Sequence, residues 1–112
     1  MNAEVRAVAK YIHMSPHKVR LVADLVRGRD VNDALSILRF TPKSAARALA
    51  RVIASAAANA EENHGLSTGD LYVAQVMANE GPKLKRGRAG ARGRFKPAIR
   101  RSSHIIVVLA ER

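Results

Sequence analysis

The chain has 112 residues but no cysteine and no tryptophan, and its aromatic side chains are two tyrosines and two phenylalanines. The absence of cysteine excludes a disulfide framework and any thiolate-based metal site. Proteins that bind single strands by base stacking interleave aromatic residues with positive charge. Phe95 is the one aromatic residue inside the most basic stretch of this chain. Stacking is therefore a poor candidate for the main binding mode of that stretch.

Long apolar runs are also missing. No run approaches the roughly 20 residues that span a membrane, and the first residues, MNAEVRAVAKYIH, lack an apolar signal core. We therefore expect a soluble, cytoplasmic protein without a membrane partner. The length and the 47% content of hydrophobic residues fit one domain over residues 1–112 with a modest core.

Acidic residues are absent from residues 83–101, a segment that we call the basic arm. The basic arm holds nine of the twenty Lys and Arg residues, whereas the rest of the chain has eleven against nine Asp and Glu. The net charge of +11 is thus concentrated in one segment attached to a nearly neutral body. This asymmetry indicates a polyanionic partner and favours nucleic acid.

Cap residues and prolines predict where three helices begin. Ser15-Pro16 and Thr41-Pro42 each place a potential N-cap before a proline that suits the first helical turn, and Asp30 can cap a third start. Apolar residues at helical spacing follow each start. The predicted helices cover residues 16–27, 31–39 and 42–63.

Three apolar segments predict strands. Residues 3–13 mostly alternate between polar and apolar side chains, whereas residues 71–78 and 105–109 are short and rich in β-branched side chains. Antiparallel pairing of the last two would make the basic arm part of a hairpin extension over about residues 79–102, with its turn near Gly90 and a reach of up to ~40 Å. The predicted fold is α+β in the order β-α-α-α-β-β, a small antiparallel sheet packed by three helices with a long projecting β-hairpin.

The basic arm is the first candidate nucleic-acid site. Its cations are Lys83, Lys85, Arg86, Arg88, Arg92, Arg94, Lys96, Arg100 and Arg101. Since like charges repel, we expect the distal arm to become ordered when phosphates neutralise it. About five phosphate contacts would give a log–log salt slope of roughly −4.

Alternative interpretations of the basic arm are a disordered tail, a membrane-surface patch and a nuclear localisation signal. A tail normally lies at a chain end, whereas this segment lies between two predicted strands. A membrane patch would need an amphipathic helix, which the glycine spacing opposes. The excess of arginine over lysine weakly favours RNA over DNA.

A second basic group surrounds the predicted helix start at Ser15. Its members are Lys10, His13, His17, Lys18 and Arg20. Free N–H groups at a helix start attract anions, and nearby cations strengthen that attraction. Ordinary solvated charges around a capped helix explain the group equally well at this point.

Patterns typical of enzymes and metal sites are weak. His13 and His17 have no HExxH glutamate between them, and Ser102, Ser103 and His104 have no evident carboxylate partner. The glycines match neither a Walker loop nor a dinucleotide fingerprint. We therefore expect no catalytic residue, no metal and no cofactor.

Several strings together resemble the bacterial large-subunit ribosomal protein uL22 family. They are KYI at 10–12, SPHKVRLVADLVRG at 15–28, ALSIL at 34–38, FTPK at 40–43, SAAANAE at 55–61, DLYV at 70–73, EGP at 80–82 and SHI at 103–105. They follow one another in order over nearly the whole chain, so the resemblance is specific.

The resemblance implies a structural protein of the large ribosomal subunit that binds ribosomal RNA (rRNA) and supports its assembly. It implies a hairpin whose tip, Gly87, Arg88, Ala89, Gly90, Ala91 and Arg92, lines the nascent-peptide exit tunnel. Ser103 and His104 would add polar RNA contacts near the base of the hairpin. The implied partners are large-subunit rRNA, neighbouring ribosomal proteins and the nascent peptide, and no homo-oligomer is expected. The alternative function is a regulatory RNA- or DNA-binding protein that acts outside the ribosome.

Overall fold

The computed structural model describes residues 4–12, 14–80, 84–89, 95–100 and 103–112, without the side chains of Tyr11 and of residues 84–100. The elements in chain order are β1 (Glu4–Ile12), α1 (Pro16–Val26), α2 (Val31–Arg39), α3 (Ser44–His64), a short 3-10 helix (Thr68–Asp70), β2 (Leu71–Glu80), β3 (Leu84–Ala89), β4 (Phe95–Arg100) and β5 (Ser103–Glu111). The α+β class and the element order of the body agree with the sequence prediction.

The body contains a three-stranded antiparallel sheet in the order β1-β5-β2. The last strand of the chain is thus the central strand, as its continuous run of β-branched residues favours. Ile105, Val107 and Leu109 are fully buried, whereas Ile106 and Val108 are half-buried. One face of the sheet therefore packs on the helices and the other face remains partly open.

Helix α3 packs on β1 and β5, α1 packs on β2, and α2 packs against α3. The core side of α3 consists largely of alanine, and Ala46, Ala56 and Ala60 are fully buried beside Leu49 and Ile53. Because alanine has a short side chain, the helix axis can approach the sheet closely while the two larger residues fill the remaining space.

The predicted start of the long helix at Thr41-Pro42 was wrong, because α3 begins at Ser44 after an N-cap at Lys43. The Thr41 hydroxyl instead donates to the carbonyl of Ile37 at 2.7 Å. It therefore stabilises the carboxyl end of α2 rather than the start of α3. Ser15 and Asp30 occupy the predicted N-cap positions, but neither makes a side-chain cap hydrogen bond.

The outer edge of β2 is closed by the end of α1 and the turn after it. The Gly28 N–H donates to the Val73 carbonyl at 2.8 Å, and the Val73 N–H donates to the Arg29 carbonyl at the same distance. Gly28 has φ 84°, a left-handed conformation that favours glycine. These contacts leave fewer free backbone groups on an edge strand that could otherwise pair with another chain.

The strands β3 and β4 form a separate two-stranded antiparallel sheet. Their register runs from Leu84 opposite Arg100 to Ala89 opposite Phe95. The predicted turn near Gly90 lies outside the described residues. Pro97 on β4 is opposite Gly87, and a proline is tolerated there because both strands of a two-stranded sheet are edge strands.

The molecule is elongated, with principal extents of 62 × 26 × 18 Å. Its radius of gyration is 17.0 Å, against roughly 13 Å for a compact domain of this length. The difference reflects the β3–β4 sheet, which is separate from the three-stranded sheet of the body.

Candidate RNA-binding interface

The β3–β4 sheet carries five of the predicted arm cations. Lys85, Arg86 and Arg88 lie on β3, and Lys96 and Arg100 lie on β4. The register sets Arg88 directly opposite Lys96. Like charges in opposed positions destabilise an antiparallel pair. A polyanion near this pair would reduce the repulsion.

The other predicted arm and tip residues fall into two groups. Lys83, Arg92, Arg94 and Arg101, together with Gly90 and Ala91 of the predicted tip, lie outside the described residues. The remaining predicted tip residues, Gly87, Arg88 and Ala89, form the end of β3.

The last pair of the three-stranded sheet before the hairpin is Glu80 opposite Ser103, and we call this pair the arm root. Ser103 is fully buried, and its hydroxyl donates to the Met14 carbonyl at 2.5 Å. This hydrogen bond joins β5 to the connection between β1 and α1. It gives Ser103 a positioning role within the protein.

His104, the neighbour of Ser103, is half-buried on β5 and lies opposite Asn79 of β2. It is therefore within the sheet next to the arm root, where the sequence prediction set it. Sequence reasoning did not anticipate that the two adjacent residues differ in exposure. The alternation of side chains along a strand explains it, because neighbours point to opposite faces.

The second predicted group gathers around the start of α1. Lys10 on β1 and His17, Lys18 and Arg20 on α1 are exposed, and Ser15 is half-buried. His13 lies outside the described residues.

Arg20 also has a structural contact, because its guanidinium donates to the Ala78 carbonyl of β2 at 2.8 Å. Arg27 makes a similar contact with the Val76 carbonyl at 3.1 Å. These two arginines fix α1 to the edge strand that leads into the arm root. The start of α1 and the arm root are therefore held in a defined relative position.

Several acidic residues lie at the end of the body opposite the arm root, which sequence reasoning missed. Glu4 and Glu111 lie where the three-stranded sheet ends opposite the arm root, and Asp70 precedes the first residue of β2. Glu61 accepts a hydrogen bond from Thr68 at the same end. Of the acidic residues, Glu80 lies at the arm root itself. Arg112 lies at this end as well and pairs with Asp30, and only the strand register reveals this arrangement.

A further basic group was absent from the sequence prediction. Arg39 ends α2, Lys43 precedes α3, and Arg47 and Arg51 follow at four-residue intervals. All four are exposed. Arg47 and Arg51 lie on one face of α3, and their spacing in the sequence was a signal for this, but the sequence analysis considered only the denser charge of the basic arm and the group around Ser15.

Within the described parts of the chain, no helix is long and apolar enough to cross a membrane. The same residues contain no group of three or more histidine or acidic side chains that could hold a metal ion.

Comparison with known proteins agrees with this geometry. The sequence model of the family described as ribosomal protein L22p/L17e matches residues 7–110. A protein of Clostridium novyi is 50% identical over 109 residues, which cover 97% of this chain and 98% of the relative. A protein of Carboxydothermus hydrogenoformans is 53% identical over 109 residues, which cover 97% of this chain and 96% of the relative.

A third relative, from Thermoanaerobacter sp. strain X514, is 51% identical over 109 residues, with 97% of this chain and 98% of the relative covered. All three relatives are named large ribosomal subunit protein uL22. The family is one of ribosomal proteins and not of enzymes. With a match over nearly its whole length, this chain belongs to the ribosomal protein L22p/L17e family.

Proposed function

We propose that this chain is a structural protein of the large ribosomal subunit, in the cytoplasm, where it binds rRNA and supports its assembly. The observation that carries this proposal is the separate β3–β4 sheet, which bears five cations, with Arg88 opposite Lys96, and is attached to a packed body. Membership in the family supports the same function, because the relatives are named as large-subunit proteins. Its partners are large-subunit rRNA and neighbouring ribosomal proteins.

Binding by the basic arm is electrostatic. Each Lys or Arg that contacts a phosphate releases a condensed counterion, so affinity falls as salt rises. The five cations on β3 and β4 alone would give a log–log slope of roughly −4. Two strands that bear cations can contact RNA on both sides of the arm, so the arm clamps separate RNA segments together.

The start of α1 forms the second contact with rRNA. Lys10, His17 and Lys18 are exposed there, and the backbone N–H groups of the first helical turn add a preference for anions. Because the Arg20 and Ser103 hydrogen bonds link this region to the arm root, the body and the basic arm bind RNA in one fixed orientation.

The tip of the basic arm, residues 87–92, lines the nascent-peptide exit tunnel and contacts the passing peptide. The family resemblance supports this placement. The composition of the tip suits it as well, because glycine and alanine occupy little volume in a narrow passage. The arginines hold the arm in RNA, while the small residues face the lumen.

Sedimentation of ribosomes tests the proposal and its rival together. We expect the wild-type chain in stoichiometric amount in the large-subunit peak after a high-salt wash. The double variant Arg86→Gln/Arg88→Gln should be depleted from this peak several-fold, because it loses two phosphate contacts. The charge-matched control is Arg6→Gln/Arg29→Gln, whose residues are exposed on the body, and it should be retained.

Recovery of the wild-type chain only in the soluble fraction would instead support a regulatory nucleic-acid-binding protein that acts outside the ribosome. Equal retention of the arm variant and the control would contradict the role of the basic arm.

A further inference from the structure

We propose that a surface between α2 and α3 binds an unpaired rRNA nucleotide, with Phe40 stacking on its base and Arg39, Lys43 and Arg47 holding the flanking phosphates. We call these four residues the corner surface. The inference rests on the proposed function, because it takes rRNA as the ligand. It adds a contact of different chemistry from the purely electrostatic basic arm.

The first observation is the exposure of Phe40. This residue is 78% exposed, the largest value among the exposed large hydrophobic residues of the described chain. Its neighbour Leu38 is only 2% exposed, so the α2 core contact ends two residues earlier. The other aromatic ring described on the body, Tyr72, is half-buried and has the Arg112 guanidinium 4.6 Å from its centre. Phe40 thus presents a much more exposed aromatic side chain than Tyr72 does.

A single exposed apolar residue is common and needs no special explanation. The surroundings distinguish Phe40. The Arg39 guanidinium lies 5.9 Å from the centre of its ring, and Lys43 and Arg47 line the same groove of about 760 Å³. No acidic residue lines this groove. An aromatic ring among unneutralised cations is the arrangement by which proteins stack on unpaired bases.

The positive charge of the corner surface is not used inside the protein. The ion pairs found among the described side chains are Arg27 with Asp24 and Arg112 with Asp30. Neither pair involves a residue of the corner surface. Lys43 is the N-cap of α3 and Arg47 lies one turn into this helix, so both cations lie at its start.

The position of the corner surface also favours RNA. A neighbouring groove of about 500 Å³ is lined by Met14, Lys18 and Leu21 on one side and by residues 42–45 on the other. Met14 is the residue whose carbonyl accepts the Ser103 hydrogen bond at the arm root. The corner surface therefore lies at the basic end of the body, on the side of the basic arm and away from the acidic end.

An acidic protein segment would complement the charge as well. RNA is favoured because the corner surface lacks the apolar area of a protein interface core. Such a core is enriched in several aromatic or aliphatic side chains, whereas the corner surface offers one ring among three cations. Successive phosphates with one exposed base match that composition.

Equilibrium binding of the full-length protein to transcribed large-subunit rRNA tests the inference. We expect Phe40→Leu to weaken binding roughly 5- to 100-fold, the range for loss of one base stack, without changing the salt slope. Phe40→Trp should retain affinity because the indole also stacks. Lys43→Gln/Arg47→Gln should weaken binding and lower the salt slope by about 1.5. The control Leu25→Ala removes an apolar side chain of 45% exposure elsewhere on the body and should have no effect.

Chemical probing of nucleotide flexibility locates the contact. With Phe40→Leu, we expect increased reactivity at one or two adjacent nucleotides, while the rest of the footprint is unchanged. Thermal unfolding of each free variant shows that the fold is intact. The arm variant Arg86→Gln/Arg88→Gln serves as the reference for the proposed function.

The outcomes separate the two proposals. If the arm variant loses affinity while the corner variants bind and protect rRNA like the wild type, the inference fails and the proposed function stands. If the corner variants bind naked rRNA normally but are lost from particles that contain other ribosomal proteins, the partner is a protein and the inference is overturned. If the arm variant keeps full affinity, the proposed function itself fails.

Discussion

Ser103 is the polar side chain among the described residues that is buried completely. Its hydroxyl donates to the Met14 carbonyl, so burial leaves no polar atom of this side chain unpaired. A buried hydrogen bond of this kind contributes modestly when formed, but its loss leaves the partner unsatisfied. One residue thus fixes where the basic arm leaves the body.

We expect Ser103→Ala to lower the free energy of unfolding by about 1–3 kcal/mol, because the Met14 carbonyl loses its donor. Urea denaturation followed by circular dichroism measures this change. Ser55→Ala, a substitution of the same type at an exposed position of α3, is the control and should change stability by less than about 0.5 kcal/mol. Equal stability of the two variants would show that the arm root does not depend on this hydrogen bond.

Individual residues also show where sequence reasoning was limited. Thr41 looked like a helix cap, but its hydroxyl can equally donate to a carbonyl one turn earlier, and the sequence does not reveal which contact forms. The sequence did not predict that Arg39 and Phe40 form a cation–aromatic pair. Adjacent residues on a helix point in different directions, and these two approach each other because α2 ends at Arg39.

At the scale of elements, the alanine-rich face of α3 determines how close the helix lies to the sheet. Ala56 is fully buried, whereas Ala54, two residues earlier on the same helix, is exposed. The two positions share residue type, helix and local propensity, so they differ only in what they contact.

We expect Ala56→Leu to destabilise the protein by about 1–3 kcal/mol, because the extra carbons cannot fit between α3 and the sheet without displacing neighbours. Ala54→Leu should be nearly neutral, since its side chain extends into solvent. Thermal unfolding of both variants makes the comparison. Similar melting temperatures for the two would contradict the close packing of α3.

Most elements could be predicted from local patterns, and their partners could be predicted only in part. The bounds of α2 follow from helical spacing, and the pairing of β2 with β5 follows from their position on either side of the basic arm. The pairing of β1 with β5 joins residues about a hundred positions apart. No local signal specifies such a contact. It depends on how the three helices, which lie between the two strands in the sequence, pack on the sheet.

At the scale of the whole molecule, the positive charge is concentrated at one end of the long axis. The basic arm extends from one end of the body, and the corner surface lies at that end, whereas Glu4, Asp70 and Glu111 lie at the other. Positive charge concentrated in one segment orients the molecule in the field of a polyanion before it makes contact. The charge of each segment could be predicted from the sequence, but the polarity of the body depends on strand directions that the sequence does not state.

The central claim is that rRNA binds and stabilises the basic arm. Hydrogen exchange of the β3 and β4 amides, compared between the free protein and its complex with large-subunit rRNA, tests it most directly. We predict fast exchange in the free protein, because opposed cations weaken an isolated two-stranded sheet, and strong protection at residues 84–89 and 95–100 in the complex. Equal protection of these residues in both states would contradict the account.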